Sequence, residues 1–164
     1  MPLPRGRDLE MIRQHLDGIP RHPLPDGYVL ERWQPGDEEN WLRIHRIADS
    51  YNDFTEESFR RHYGFIDTEW ARRILFLRVA GGGPTVGTAG AWWNDNWRGG
   101  SWGRLHWVAI VPGHQGRGLA RPLISTALHR LRELGHQRAY LDTNSVRPVA
   151  IRLYEEFGFA EAEP

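Results

Sequence analysis

Apolar positions along the chain follow two rhythms. Alternating or unbroken apolar runs predict strands at Tyr28–Trp33, Ile74–Ala80, Thr85–Trp93, Leu105–Val111 and Arg138–Thr143. Spacing of three and four predicts helices. Leu9, Ile12 and Leu16 mark a short amphipathic one near the start, and Trp41, Ile44 and Ile47 mark another with Asp37 as its N-cap. Thr55-Glu56-Glu57-Ser58 supplies a cap and an acidic first turn for a third, and a further helical stretch covers Asp67 to Arg73. A long helix runs to about Leu134 and is closed by Gly135; a last one opens at Pro148 and ends at Gly158. Gly81-Gly82-Gly83-Pro84 is a turn, and Asn94 to Gly103 reads as a loop rich in Trp, Asn and Gly. Pro20, Pro23 and Pro25 force an extended linker. Residues 1–26 are therefore expected to be an N-terminal extension ahead of one domain over 27–164. There are no repeats, and the alternation of elements supports an α/β or α+β fold.

Composition narrows the chemistry. The chain has no cysteine, which excludes a thiol nucleophile, a disulfide framework and a thiolate metal site. All 21 basic residues are arginine, so lysine-base and Schiff-base chemistry are excluded as well. The formal net charge is zero, giving no global field toward nucleic acid or membrane. The first 21 residues lack the apolar core of a signal peptide and no stretch is long enough to span a bilayer, so a cytoplasmic protein is expected. The eight histidines have no H-E-x-x-H and no paired helical spacing, so no metal site is expected. Gly99-Gly100-Ser101-Trp102-Gly103 carries the letters of a nucleophile elbow, but a strand follows it where a helix is required.

The most informative segment is Gln115-Gly116-Arg117-Gly118-Leu119-Ala120, between an apolar strand and an apolar-periodic helix. A glycine-rich turn opening a helix leaves backbone N–H groups unpaired at the positive end of the helix dipole, a site for phosphate or pyrophosphate. Arg117 and Arg121 would reinforce it. Arg121 replaces the third glycine of the dinucleotide fingerprint, and a Walker A loop needs a lysine that is absent.

Gln115, Gly118 and Ala120 fill the Q/R-x-x-G-x-G/A loop, so the segment resembles that of the GCN5-related N-acetyltransferase (GNAT) superfamily. Upstream, Val108-Ala109-Ile110-Val111-Pro112 resembles the family's fourth strand with its terminal proline. Downstream, Ala150 to Phe159 resembles the A-x-x-x-Y-x-x-x-G-F ending. The resemblance covers roughly residues 85 to 160 and implies a mixed sheet splayed between its fourth and fifth strands, flanked by helices. The family adds a strand after the Gly-Phe ending. Here only five residues follow, so that strand is missing, supplied by a partner chain, or replaced by the N-terminal extension.

The resemblance also implies acetyl-CoA as cofactor and a primary amine of a small molecule or peptide as acceptor, joined by direct attack in a ternary complex. Cofactor contacts would come from Ile110, Val111, Gln115, Gly116, Arg117, Gly118, Leu119, Ala120, Asn144, Arg147, Ala150 and Tyr154. The Ile110 main-chain N–H would be the oxyanion donor. Tyr154 would be the general acid, its phenol (reference pKa ~10) roughly matched to a coenzyme thiol; as a residue alone it equally reads as a core tyrosine beside Phe157. His106, four residues before Ile110 and expected on the same face, is a candidate base, with Asp53, Glu56 and Glu57 as rivals. Arg147 stands where relatives carry an asparagine; it either reaches a phosphate or is a surface charge, with Asn144 free to do the asparagine's work. Five of the eight tryptophans fall between Trp92 and Trp107, as cross-strand pairs, an acceptor wall or a homodimer contact. Another acyl-CoA, a non-catalytic CoA-binding sensor or a nucleic-acid module are the alternatives; neither nucleic acid nor membrane is an expected partner.

Overall fold

The computed structural model describes residues 5–164. The elements in chain order are β1 (Asp8–Arg13), β2 (Tyr28–Arg32), α1 (Asp37–Ala48), α2 (Ser58–Tyr63), α3 (Asp67–Arg73) and β3 (Ile74–Val79). They continue with β4 (Thr85–Trp97), β5 (Gly100–Ile110), α4 (Ala120–Glu133), β6 (Ala139–Asn144), α5 (Pro148–Glu156) and β7 (Ala160–Glu161). One mixed sheet has the order β2-β3-β4-β5-β6-β1-β7. Every neighbouring pair is antiparallel except β5 and β6, which are parallel.

Side-chain alternation divides the core. On β3, Leu75 and Leu77 join the cluster under α4 (Leu123, Ala127, Leu128, Leu131), while Ile74 and Phe76 join an aromatic cluster under α1–α3 (Trp41, Phe59, Tyr63, Trp70). Beside them β4 carries small residues. A Cβ on Gly90 would run into the Tyr63 hydroxyl, so that glycine lets α2 lie close on the sheet. The buried Asp37 carboxylate accepts from both terminal nitrogens of the Arg78 guanidinium at 2.9 and 2.8 Å, pinning α1 to β3. Burial would push that carboxyl up, but its bonds to Arg78, Asn40 and the Gln34 N–H outweigh this and hold it below the usual range.

Several expectations from sequence are corrected. The N-terminal amphipathic helix is a strand: β1 pairs along its whole length with β6, and Leu9 and Met11 are buried at a spacing of two. An open strand edge offers a ready hydrogen-bond ladder, whereas so short a helix cannot hold itself together. β1 thus takes the place beside β6, and a two-residue β7 follows the Gly-Phe ending and pairs with β1. Of the three alternatives for the C-terminal strand, replacement by the N-terminal extension is the one found beside β6, and residues 8–13 belong to the sheet of the domain they were expected to precede. Asp37 lies in the first turn of α1, not at its N-cap, which is Gly36 in a left-handed conformation. Ile47 is 53% exposed; His45 takes the buried position instead.

The expected loop from Asn94 to Gly103 is a continuation of β4 and β5, closed by a two-residue turn in which Arg98 and Gly99 have φ of 48° and 77°. Its tryptophans pack among themselves and on neighbours. Trp97 stacks on Tyr140 (4.1 Å, 8°) and meets Trp102 edge-on (5.0 Å), while Arg138 covers Trp102 and Arg73 covers Trp93. Among the described residues no helix is long and apolar enough to cross a membrane.

Candidate active site

The β5–β6 ladder pairs only Gly103↔Ala139 and Arg104↔Tyr140. Beyond that point they part, and a cleft of about 1370 Å³ opens between them. Ile110 sits on its wall. Val111 donates its N–H to the Val86 carbonyl (2.9 Å), so the adjacent Ile110 turns its own peptide groups away from β4. The Ile110 carbonyl accepts the Gln115 side-chain amide at 2.8 Å. Its N–H points the same way, into the gap β6 has left.

At one end of the cleft the chain leaves β5 through a short 3₁₀ turn (Pro112–His114) and enters α4. Gly116 and Gly118 have φ of 73° and 74°, a region closed to most side chains. The N-cap, Leu119, offers no side-chain acceptor. The N–H groups of Gly116 through Arg121 find no acceptor among the described residues. A row of unpaired amides at a helix N-terminus, with the dipole behind them, suits a pyrophosphate. Val111 and Arg117 stand outside the cleft: Val111 is core, and Arg117 Nη1 reaches the Tyr28 hydroxyl at 3.5 Å. Arg121 lines the cleft but is paired with Glu156 at 2.9 Å.

Across the gap, α5 opens with Pro148 at its first position and presents Ala150 and Tyr154 to the cleft. The Tyr154 hydroxyl has no hydrogen-bond partner among the described residues; burial pushes the phenol up to about 12, with the Arg147 charge opposing. It is a more weakly acidic phenol than the sequence suggested, and it keeps its proton throughout the neutral range. Arg147 is neither a free surface charge nor aimed at a phosphate loop. Its Nη2 pairs with Asp49 at 3.0 Å and its guanidinium covers the Tyr51 ring at 5.1 Å, bridging α5 to the loop after α1. Asn144 donates to Asp8 Oδ1 at 2.8 Å and accepts the Val146 N–H, so β1 has engaged the amide expected to hold a cofactor arm.

The opposite wall comes from β5 and α1–α2. Trp107 and Val108 together oppose the single residue Ala89, a bulge, and Trp107 adopts φ 49°. The extra residue flips the alternation, so His106 and Ile110 lie on opposite faces, contrary to the expectation from spacing. His106 packs beside Tyr63 at 5.2 Å and donates from Nε2 to the His62 carbonyl at 3.3 Å. Burial pushes it well below the usual imidazole range, and the Arg104 charge adds to this. The imidazole with access to solvent is His62, half-buried against Trp107 (4.4 Å) and lowered to about 4 by burial, then by Arg104 and Arg61.

His45 completes this wall. It lies 5.3 Å from Trp107 and is lowered to about 3, chiefly by burial. Asp49, at the C-terminus of α1, accepts from the Tyr51 and Asn52 amides and from the Asn52 side chain. Sequence reasoning missed His45, Asp49 and His62, whereas Trp107 belongs to the tryptophan group for which an acceptor wall was one of three readings. Only His45 left a trace, four residues after Trp41 on the stripe that α1 buries. The carboxylates offered as bases, Asp53, Glu56 and Glu57, do not reach the cleft. Ser101 hydrogen-bonds Asp95 on the outer hairpin, outside the cleft.

Known proteins resemble this chain in sequence and in fold. The family model "Acetyltransferase (GNAT) family" matches residues 41–159. A mycothiol acetyltransferase of Geodermatophilus obscurus is 30% identical over 94% of this chain and 53% of its own. One from Salinispora tropica is 31% identical, covering 95% and 52%. The chain thus spans about half the length of these curated relatives. A GCN5-related N-acetyltransferase from Sphaerobacter thermophilus superposes with a TM-score of 0.77 at 22% identity, over 97% of this chain and 50% of that one. The chain belongs to the GNAT acetyltransferase family.

Proposed function

We propose that this protein transfers an acetyl group from acetyl-CoA to a primary amine, by direct attack with both substrates bound. The observation that carries this reading is the coincidence, in one cleft, of unpaired loop amides, the parted strands with the free Ile110 N–H, and the unpartnered Tyr154 hydroxyl. The residues fit the coenzyme: amides of Gly116 to Arg121 for the pyrophosphate, and the β5–β6 gap for its extended arm. When bound, acetyl-CoA supplies an activated thioester.

The protein's own groups then have definite tasks. Ile110 N–H donates to the carbonyl oxygen as charge builds there, a contribution worth on the order of 3 kcal/mol of barrier. The amine nitrogen forms the new C–N bond, the C–S bond breaks, and Tyr154 gives its proton to the departing sulfur. The amine gives up one proton, which restores the phenol through solvent. An ammonium is favoured in water by its reference pKa of ~10.4, but the aromatic wall disfavours the charged form and so eases its loss. His62, uncharged at neutral pH, is the imidazole able to hold the water that carries the proton away.

The test is thiol release from acetyl-CoA with a panel of amines, amino acids, aminoglycosides and peptides; the relatives' name adds mycothiol-type amines. Amine-dependent release supports transfer. Thermal stabilisation by coenzyme A with no release would make this a CoA-binding sensor. Faster release with a longer acyl thioester would change the donor. Salt-sensitive nucleic-acid binding with no coenzyme response would overturn the reading.

A further inference from the structure

Three features of the wall opposite Tyr154 concern what the acceptor must look like, and they build on the transfer reading above. The first is Trp107. A bulky side chain at φ 49° is a conformation L residues rarely adopt, and here a strand bulge holds it so that the indole lies on the cleft wall. Held backbone outliers of this kind gather at ligand sites. The ring is clasped by His62 and His45, with Phe54 at 5.6 Å and Trp41 at 6.0 Å behind it.

The second feature is the rim. Tyr51 and Val149, 43% and 70% exposed, both line this cleft. The third is charge. Four carboxylates line the cleft, and each is engaged among the described residues. Asp49 binds Arg147, Asp142 binds Arg104 at 2.6 Å, Glu156 binds Arg121, and Asp8 takes the Asn144 amide. The histidines of the wall carry no charge at neutral pH. Three of these carboxylates are neutralised by arginines and Asp8 alone keeps its charge beside a neutral amide, so a polycation entering here would meet a single counter-ion, whereas a flat apolar group would meet the aromatic side chains of the wall.

We infer that the acceptor is a primary amine borne on an aromatic or broad apolar group that lies against Trp107, and not a polyamine or aminoglycoside. The apolar group seats on the indole, and the short alkyl stem carries the nitrogen toward the β5–β6 gap.

The experiment compares 2-phenylethylamine, hexylamine, spermidine and kanamycin as acceptors, and measures binding of the first and third to the coenzyme A complex by calorimetry. The expected result is a kcat/KM at least about ten-fold higher for phenylethylamine than for spermidine. Trp107→Asn suits the left-handed backbone but leaves a gap in the aromatic cluster, so its fold is first checked by a thermal melt. It should raise KM for phenylethylamine about ten-fold while leaving coenzyme A affinity unchanged. Spermidine or kanamycin being preferred, with thiol release intact, would overturn the acceptor inference and leave acetyl transfer standing. Phenylethylamine binding at Trp107 without thiol release would uphold the pocket and sink transfer. An equal loss for all four amines in Trp107→Asn would also overturn the inference.

Discussion

His45 makes the protein acid-sensitive in a calculable way. Its ring is 2% exposed, packed on Trp41 at 4.4 Å and stacked on Phe54 at 5.2 Å, and its Nε2 has no partner among the described residues. Burial lowers it from 6.5 to about 3. The unfolded chain therefore takes up a proton near 6.5 that the folded chain refuses until near 3, so stability falls as pH drops through that window. Between pH 7 and pH 5 one such group costs about 2 kcal/mol. His106 acts in the same direction, and half-buried His62 adds a smaller, solvent-screened share. Phenylalanine fits the stack and cannot titrate. Urea unfolding of wild type and His45→Phe at both pH values isolates the effect. The wild type should lose about 2 kcal/mol more than the variant on acidification. Equal losses in the two proteins would refute a neutral, buried His45.

Three further outcomes follow from the contacts. Tyr154→Phe should lower kcat by roughly 10²-fold with little change in KM for acetyl-CoA, read by thiol release; an unchanged kcat rejects the acid role. Arg147→Met removes a charge that holds the Tyr154 phenol down and unties Asp49. It should lower kcat and raise the acceptor KM together, with Arg147→Lys recovering part of both; an unaltered acceptor KM would show that the loop after α1 does not need the pair. Gly90→Ala drives a methyl into the buried Tyr63 hydroxyl and should destabilise by about 1–3 kcal/mol in urea melts, whereas a neutral effect would contradict the close approach of α2.

Much of the frame was legible because it rests on local signals. The glycines of the α4 loop, Pro148 at the start of α5 and the apolar rhythm of β3 each specify their own backbone. What escaped depends on partners distant in sequence. Leu9 and Ile12 fit a helix until the edge of β6 offers β1 a ladder. The Arg98-Gly99 turn carries no strong hairpin signal, so the tryptophans flanking it looked like loop. The bulge at Trp107 reverses a parity count that otherwise pairs His106 with Ile110. Asn144 and Arg147 matched expected positions, yet Asp8 and Asp49 hold their side chains elsewhere. Position in a motif locates a residue; its neighbours decide what it is free to do.

The grip of main-chain amides on the coenzyme is tested most directly by calorimetric titration with coenzyme A of wild type and Gly118→Trp. Gly118 has φ 74° and open space beside it, so the bulky residue strains and blocks the loop without touching the core. Saturable heat in the wild type and none in a folded variant is the predicted result. Equal binding by both proteins, or no heat with either at millimolar coenzyme, would contradict it.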